Sequence, residues 1–327
     1  MKGDNARMAM TDTRKAFLQI HFCVLLWGFT AILGKLISLP ALPLTWWRML
    51  IVVVLLALMP RVWRGLRAMP PRLMLSYAGI GALVALHWLT FYGAIKLSNA
   101  SVAATCMALG TVFIALIEPW LAHTRFSKRE LALGLLVLPG VVLVVGGVPQ
   151  GMRLGIAVGA VSALLVAIFG SLNKRLVEHG DPLAVTALEL GAGALTLTVL
   201  APLLPLLPVL SDSGAFAGDL LVPPNLRDTL LLLALAVACT LLPFTLSLFA
   251  LRHMSAFAQQ LALNLEPVYA IVLAILLLGE QRELTPQFYL GVAIILAAVF
   301  IHPLLGKPQR MRHPEVLGTA EAKGAAE

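Results

Sequence analysis

Residues 229–250 read TLLLLALAVACTLLPFTLSLFA, and no side chain among them carries a charge. At about 1.5 Å per residue a helix of this length spans roughly 33 Å, enough to cross the hydrocarbon core of a bilayer. The backbone has no water to bond there, so the run must be helical. Nine other stretches have the same character. Together they predict helices over 17–37, 44–60, 73–95, 100–122, 129–148, 154–175, 183–205, 228–250, 256–278 and 287–306. Little chain remains between them. The expected fold is an all-α polytopic membrane protein of ten transmembrane helices with no soluble domain, so its function must operate in or across the bilayer.

Composition agrees. The 327 residues are 60% hydrophobic and only 12% charged, about half the charge of a typical soluble domain. Cys23, Cys106 and Cys239 all fall inside predicted helices without CxxC or His-rich spacing, which argues against a disulfide frame or a zinc site. The first apolar run is long and no small-residue cleavage site closely follows it, so 17–37 reads as a retained helix rather than a signal peptide. Residues 1–16 form an N-terminal tail, and the polar residues 307–327 are expected to be a disordered C-terminal tail.

The net charge of +8 is distributed by side, which argues against nucleic acid as a partner. Of 24 Lys and Arg, 18 fall in the termini and alternate loops, 5 fall in the other loops, and Arg48 lies within a helix. Cytoplasmic loops hold the positive excess, so both termini are expected inside the cell, with the chain in a bacterial inner membrane. The loop 206–227 then faces outward.

The two halves of the chain echo each other. Residues 94–113 read AIKLSNASVAATCMALGTVF and residues 250–269 read ALRHMSAFAQQLALNLEPVY. At an offset of 156 they share Ala94/Ala250, a basic residue at 96 and 252, Ala100/Ala256, Leu109/Leu265 and Val112/Val268. Each segment starts with a short polar turn and runs into a helix. The chain therefore reads as two copies of five helices, at 17–148 and 154–306, and the odd number per copy turns the second upside down. Inverted repeats of this kind underlie many secondary transporters, whose sites lie near the midplane between the copies.

Residues 264–300, NLEPVYAIVLAILLLGEQRELTPQFYLGVAIILAAVF, resemble the closing segment of the EamA-type drug/metabolite transporter superfamily, with matches at Pro267, Gly279, Glu280 and Gly291. Trp27-Gly28 and Arg48 match the opening of its first repeat. The resemblance spans nearly the whole chain. It implies two inverted five-helix repeats around a central cavity, and export or exchange of small metabolites. The first repeat departs from the pattern: Thr111 stands where the second has Pro267, and Thr124 falls near the place of Glu280.

Ionisable groups inside a span are costly and usually face the bundle interior or water. Glu266 is the foremost such group. It lies about 15 Å into the ninth predicted helix, near the midplane. Pro267 beside it cannot donate to the carbonyl of Leu263. Two roles fit equally: a carboxyl that receives a proton, a cation or a substrate amine, or a structural cap at a kink. On the same helix Gln260 and Asn264 project on one face, while Gln259 and Glu266 project on another. If the helix is straight, only one of those faces can line a cavity.

His87 can relay protons near neutral pH, although a lone membrane histidine more often bonds a neighbour. Trp88 and Tyr92, one turn apart, can grip an aromatic or cationic ligand, with an interfacial anchor as the other reading for Tyr92. Trp27 lies mid-helix, where cavity wall and plain packing are equally good readings. Glu118 and Lys174 end helices on the same side and can pair as an inner gate; a solvated carboxylate is the plainer alternative. Trp46-Trp47-Arg48 reads as an interfacial anchor. Arg48 and Glu189, rough counterparts in the two repeats, are expected near opposite faces and should not pair.

The chain contains no Walker motif, Gly-rich phosphate loop, metal-ligand cluster or Gly-x-Ser-x-Gly elbow. No catalytic residue, metal or cofactor is therefore expected. The expected partners are a small-molecule substrate, the lipid bilayer and, as an option, a second copy of the chain. The reading is a secondary transporter, exporter or exchanger, of amino acids or related amphipathic metabolites by alternating access, driven by a proton gradient or by exchange. The alternatives are a membrane-embedded enzyme acting on lipids and a non-transporting scaffold.

Overall fold

The structure, a computed structural model, describes residues 2–206, 214–263 and 265–305, with side chains for 14–206, 214–263 and 265–298. In chain order its helices are α1 (Lys2–Leu36), α2 (Ala41–Ala57), α3 (Pro60–Ala68), α4 (Pro71–Leu97), α5 (Ala100–Cys106), α6 (Gly110–Leu121), α7 (Lys128–Leu135), α8 (Leu138–Gly146), α9 (Arg153–Leu176), α10 (Pro182–Leu200), α11 (Leu226–Ala236), α12 (Leu242–Leu251), α13 (Ala256–Leu263), α14 (Glu266–Leu278) and α15 (Pro286–Leu305). No strand occurs among the described residues. Eight stretches there are long and apolar enough to cross a membrane, and the bent pair α2–α3 makes a ninth. The tenth predicted helix corresponds to α15.

Several spans are built from two pieces. Short segments separate α5 from α6 and α11 from α12, and α13 ends at Leu263 before α14 begins at Glu266. Prolines explain two of these breaks. Pro243 follows a π-helical segment, Val237–Leu241, and has no N–H to give the carbonyl of Cys239, four residues back. Pro267 sits in the first turn of α14, where a missing N–H costs least. The first repeat makes its equivalent break without proline, through the 3₁₀ turn Met107–Leu109.

The packing follows the inverted repeat. The third span of the first copy, α4, packs on α9, the first span of the second; in reverse, α1 packs on α12. The fifth span of each copy meets its counterpart where α8 crosses α15. A Cβ added at Gly140 would lie 2.6 Å from the Gly291 carbonyl oxygen, and one added at Gly291 would lie 2.5 Å from that of Gly140. Only glycine allows so close a crossing, the usual device where helices associate in lipid. The basic residues at 96 and 252 also act alike. Lys96 donates to the Ile37 carbonyl just beyond α1 (2.6 Å). Arg252 donates to the Val177 and Gly180 carbonyls just beyond α9 (3.2 and 2.7 Å). Each thus holds the end of the first span of its own copy.

Three expectations change. The N-terminal tail is helical, since α1 begins at Lys2. The second span starts at Ala41 rather than 44, and the loop after it holds the short helix α3, turned 92° from α2. That helix is strongly amphipathic: Val62 is buried, while Arg61 pairs with Asp181 (2.7 Å) at the start of α10. The C-terminal tail 307–327 lies outside the described residues, as does part of the loop 206–227. The described part of that loop folds back on the first repeat, where Ala215 accepts from the Ala41 N–H (2.8 Å).

Candidate functional site

A cavity opens between the repeats. Its wall draws on α1 (Trp27, Thr30), α2 (Arg48), α4 (His87, Trp88, Phe91), α6 (Ile114), α9 (Val166, Phe169, Gly170), α12 (Phe244, Ser247), α13 (Ala256, Gln259, Gln260, Leu263) and α14 (Glu266), with Met107 from the 3₁₀ turn. The lining is largely apolar and aromatic with a few convergent polar groups, the usual make-up of a small-molecule site.

Arg48 is the group whose position changes most from the sequence reading. It is 1% exposed and lies seven residues into α2, about 10 Å from the helix start, so it is no interfacial anchor. Its Nε donates to Thr240 Oγ1 (2.5 Å), Nη1 to the Tyr92 hydroxyl (2.7 Å) and Nη2 to the Cys239 carbonyl (3.1 Å). That carbonyl is the one Pro243 leaves free. The π segment also brings the Thr240 hydroxyl onto the Leu235 carbonyl (2.7 Å), presenting its oxygen to the guanidinium. The Arg48 Cζ lies 3.8 Å from the centre of the Trp88 ring, a cation–π contact that a poorly hydrated guanidinium suits. Three of its five N–H groups are committed to the protein.

Glu266, 7% exposed, faces the same cavity. No ion pair within 4.0 Å joins it to Arg48; among the described residues the one ion pair is Arg61–Asp181. A buried cation and a carboxyl therefore share one chamber without touching. His87 accepts the Ser162 hydroxyl on its backbone carbonyl (2.9 Å), while its Nδ1 lies 2.9 Å from the Ser162 carbonyl. Ser162 Oγ also lies 2.8 Å from Nδ1; with the hydroxyl proton given to the His87 carbonyl, the ring proton is assigned to Nδ1 and Nε2 is left as an acceptor.

Of the residues singled out in the sequence, Trp27, His87, Trp88, Gln260 and Glu266 thus meet at one cavity, and Asn264 lies outside the described residues. Tyr92 does not line it; fully buried, it stands behind and holds Arg48. Gln259 lines it together with Gln260 and Glu266, so residues from both of the faces read in the sequence border the same space. Gln260 Nε2 donates to the Met107 carbonyl (3.3 Å), so the broken regions of the two repeats touch. Sequence reading missed Arg48, Thr30, Phe91, Phe169, Phe244 and Ser247. For Arg48 the signal was its charge inside a span. The others are ordinary core types with nothing in the sequence to mark them.

Glu118 and Lys174 form no ion pair with each other. Glu118, 4% exposed, accepts from the Ala256 and Phe257 N–H groups (3.2 and 2.8 Å) at the start of α13. Lys174 donates to the Leu251 carbonyl (2.7 Å) at the end of α12. Both hold the turn between those helices. At the opposite end Gly279, with φ 71°, closes α14, and Glu280 accepts from Ala100 N–H, Ser101 N–H (3.0 Å each) and Ser101 Oγ (2.6 Å) at the start of α5. The counterpart of Glu280 is therefore Glu118, not Thr124: each carboxylate ends one repeat's fourth span and caps the first turn of the other's.

Two helical repeats with a cavity between them are an arrangement met in membrane transporters. The profile of the EamA-like transporter family matches residues 14–146 and 153–302, one match per repeat. The chain belongs to that family, and it is a multi-pass membrane transporter of the drug/metabolite type. A solved structure described as "Crystal structure of protein" shares the fold, with a TM-score of 0.61 and 18% identity over 89% of this chain and 97% of its own. A search of curated proteins found no match.

Proposed function

We propose that the protein carries small amphipathic metabolites, amino acids with a large apolar side chain above all, as an exporter or exchanger. The observation that carries this reading is the separated charge pair: Arg48 and Glu266 face one aromatic cavity without an ion pair between them. A zwitterion bridges such a gap. Its carboxylate takes the free N–H groups of Arg48, and its ammonium goes to Glu266, with His87 Nε2 as a further acceptor. Its apolar body rests on Trp27, Phe91, Phe169 and Phe244. The basic end of the bundle, which carries Arg61, Lys174 and Arg252, is the cytoplasmic end, with both chain termini there.

Counterflow in proteoliposomes tests the reading. Zwitterions with large apolar side chains should accelerate exchange. Amines and carboxylic acids of the same shape, each lacking one charge, should be at least about tenfold weaker, equivalent to roughly 1.4 kcal/mol. Arg48→Lys, which replaces a planar fork with a point charge, should slow exchange by a similar factor. Equal acceleration by a neutral apolar compound would overturn the proposal.

A further inference from the structure

A second acidic group lies buried outside the substrate cavity. Glu189, on α10, is 0% exposed, and Asn173, on α9, is 3% exposed. Asn173 Nδ2 donates to Glu189 Oε2 at 3.4 Å. The other oxygen of each group, Glu189 Oε1 and Asn173 Oδ1, is buried and has no hydrogen-bond partner. Two acceptors are thus left over in one carboxyl–carboxamide pair, deep in the bundle.

The charges nearby do not answer Glu189. On α4, Tyr77 donates its hydroxyl to the Leu176 carbonyl (2.6 Å). On α9, Lys174 is committed to the Leu251 carbonyl, and Arg252 is committed to Val177 and Gly180. On α3, Arg61 pairs with Asp181, and on α2 Arg48 is held by Thr240, Tyr92 and Cys239. Among the described residues no cation lies within ion-pair distance of Glu189. An ionised carboxylate left so would carry a desolvation cost of several kcal/mol with nothing to offset it.

One proton resolves both orphans. Placed on Oε1, it donates to Asn173 Oδ1, while the Asn173 amide donates to Oε2, so each group both gives and receives one bond. We infer that Glu189 and Asn173 form a proton-binding site, separate from the substrate cavity, that exchanges its proton with the basic end of the molecule. The side open to exchange is marked by a small second cavity that borders Asn173 and is lined also by Tyr77, Val177, Gly180 and Pro182. Glu178 and His179, in the turn that carries Val177 and Gly180, are exposed. On the far side, α10 packs on α4 so closely that the Glu189 backbone meets Gly81. The inference is independent of which metabolite is carried.

Infrared difference spectroscopy of the protein in bilayers reads the site without any transport assay. The spectrum of the parent minus that of Glu189→Gln, whose amide keeps the paired geometry, should show a protonated-carboxyl C=O band at neutral pH. The band should shift in D₂O and give way to carboxylate bands at alkaline pH. A carboxylate signal at neutral pH overturns the site, as does thermal stability that rises with sodium but not with potassium. A carboxyl band that neither shifts in D₂O nor titrates overturns the exchange. If Glu189→Gln does not insert, Asn173→Leu serves instead: removal of the acceptor should move the band to higher frequency, and an unmoved band refutes the pairing.

Discussion

The two ends of the bundle are closed by the same device, but not to the same depth. At the basic end Glu118 takes two backbone N–H groups of α13, and the cavity wall reaches Ala256, the first residue of that helix. At the opposite end Glu280 takes two N–H groups and a hydroxyl of α5, and Asn99 adds a bond to Glu283 (3.1 Å). No residue between Leu97 and Cys106 lines the cavity. One seal is thin and the other thick. An alternating-access carrier needs two states in which different ends are closed. On an alternating-access reading, this asymmetry corresponds to a state with its cavity nearer the basic end.

The largest expected effect comes from breaking the thicker seal. Glu280→Ala strands two N–H groups and the Ser101 hydroxyl in a buried place. Hydrogen bonds to charged groups contribute about 1.5–3 kcal/mol each, and abandoned buried donors carry a further penalty. A loss of about 3–5 kcal/mol in stability follows, read as a lower melting temperature in detergent. A cysteine placed at Ser98 should then become open to a water-soluble thiol reagent. A variant as stable and as closed as the parent would remove Glu280 from the seal.

Glu118→Ala should have the smaller effect, about 2–3 kcal/mol, because two donors are stranded rather than three. Since the cavity already approaches this end, the variant should raise thiol labelling at Ser247→Cys rather than at Ser98→Cys. If Glu118→Ala melts below Glu280→Ala, the ranking of the two ends is reversed.

The repeat was legible in the sequence, and so was the pairing of Lys96 with Arg252, because these sit before the helix breaks where the offset of 156 still holds. The counterpart of Glu280 was not legible. The matching carboxylate stands six residues before Thr124, where the offset of 156 pointed, so that offset does not hold to the ends of the fourth spans. The role of Arg48 was hidden for two reasons. Starting its helix three residues late placed it at the membrane surface. Its partners, Thr240 and the carbonyl of Cys239, lie about 190 residues away in the chain. Pro243 was the usable clue, since a proline inside a span always frees the carbonyl four residues before it, and a buried guanidinium needs such acceptors. The aromatic walls gave no signal, because Phe and Met in an apolar helix read alike whether they face a cavity, lipid or a neighbour.

The smallest expected effect sharpens the comparison at its margin. Asn99 serves the thick seal twice. Its Oδ1 accepts from the Val102 N–H (2.9 Å), capping α5, and its Nδ2 reaches Glu283. The corresponding turn at the basic end has Ser255, whose hydroxyl accepts from the Ala258 N–H (3.0 Å), with no second bond across the seal. Loss of an N-cap costs about 1 kcal/mol, and the exposed-side bond to Glu283 adds little. Asn99→Ser keeps a capping oxygen but gives up the reach to Glu283; Asn99→Ala gives up both. If the cap is the larger contribution, the Ser variant should melt close to the parent and the Ala variant lower by a few degrees, with transport rates nearly unchanged in both. If the bond to Glu283 is what makes this seal thick, Ser and Ala should fall together, and both should raise thiol labelling at the Glu280 end. That second pattern would move the asymmetry from the carboxylate latch to the turn in front of it.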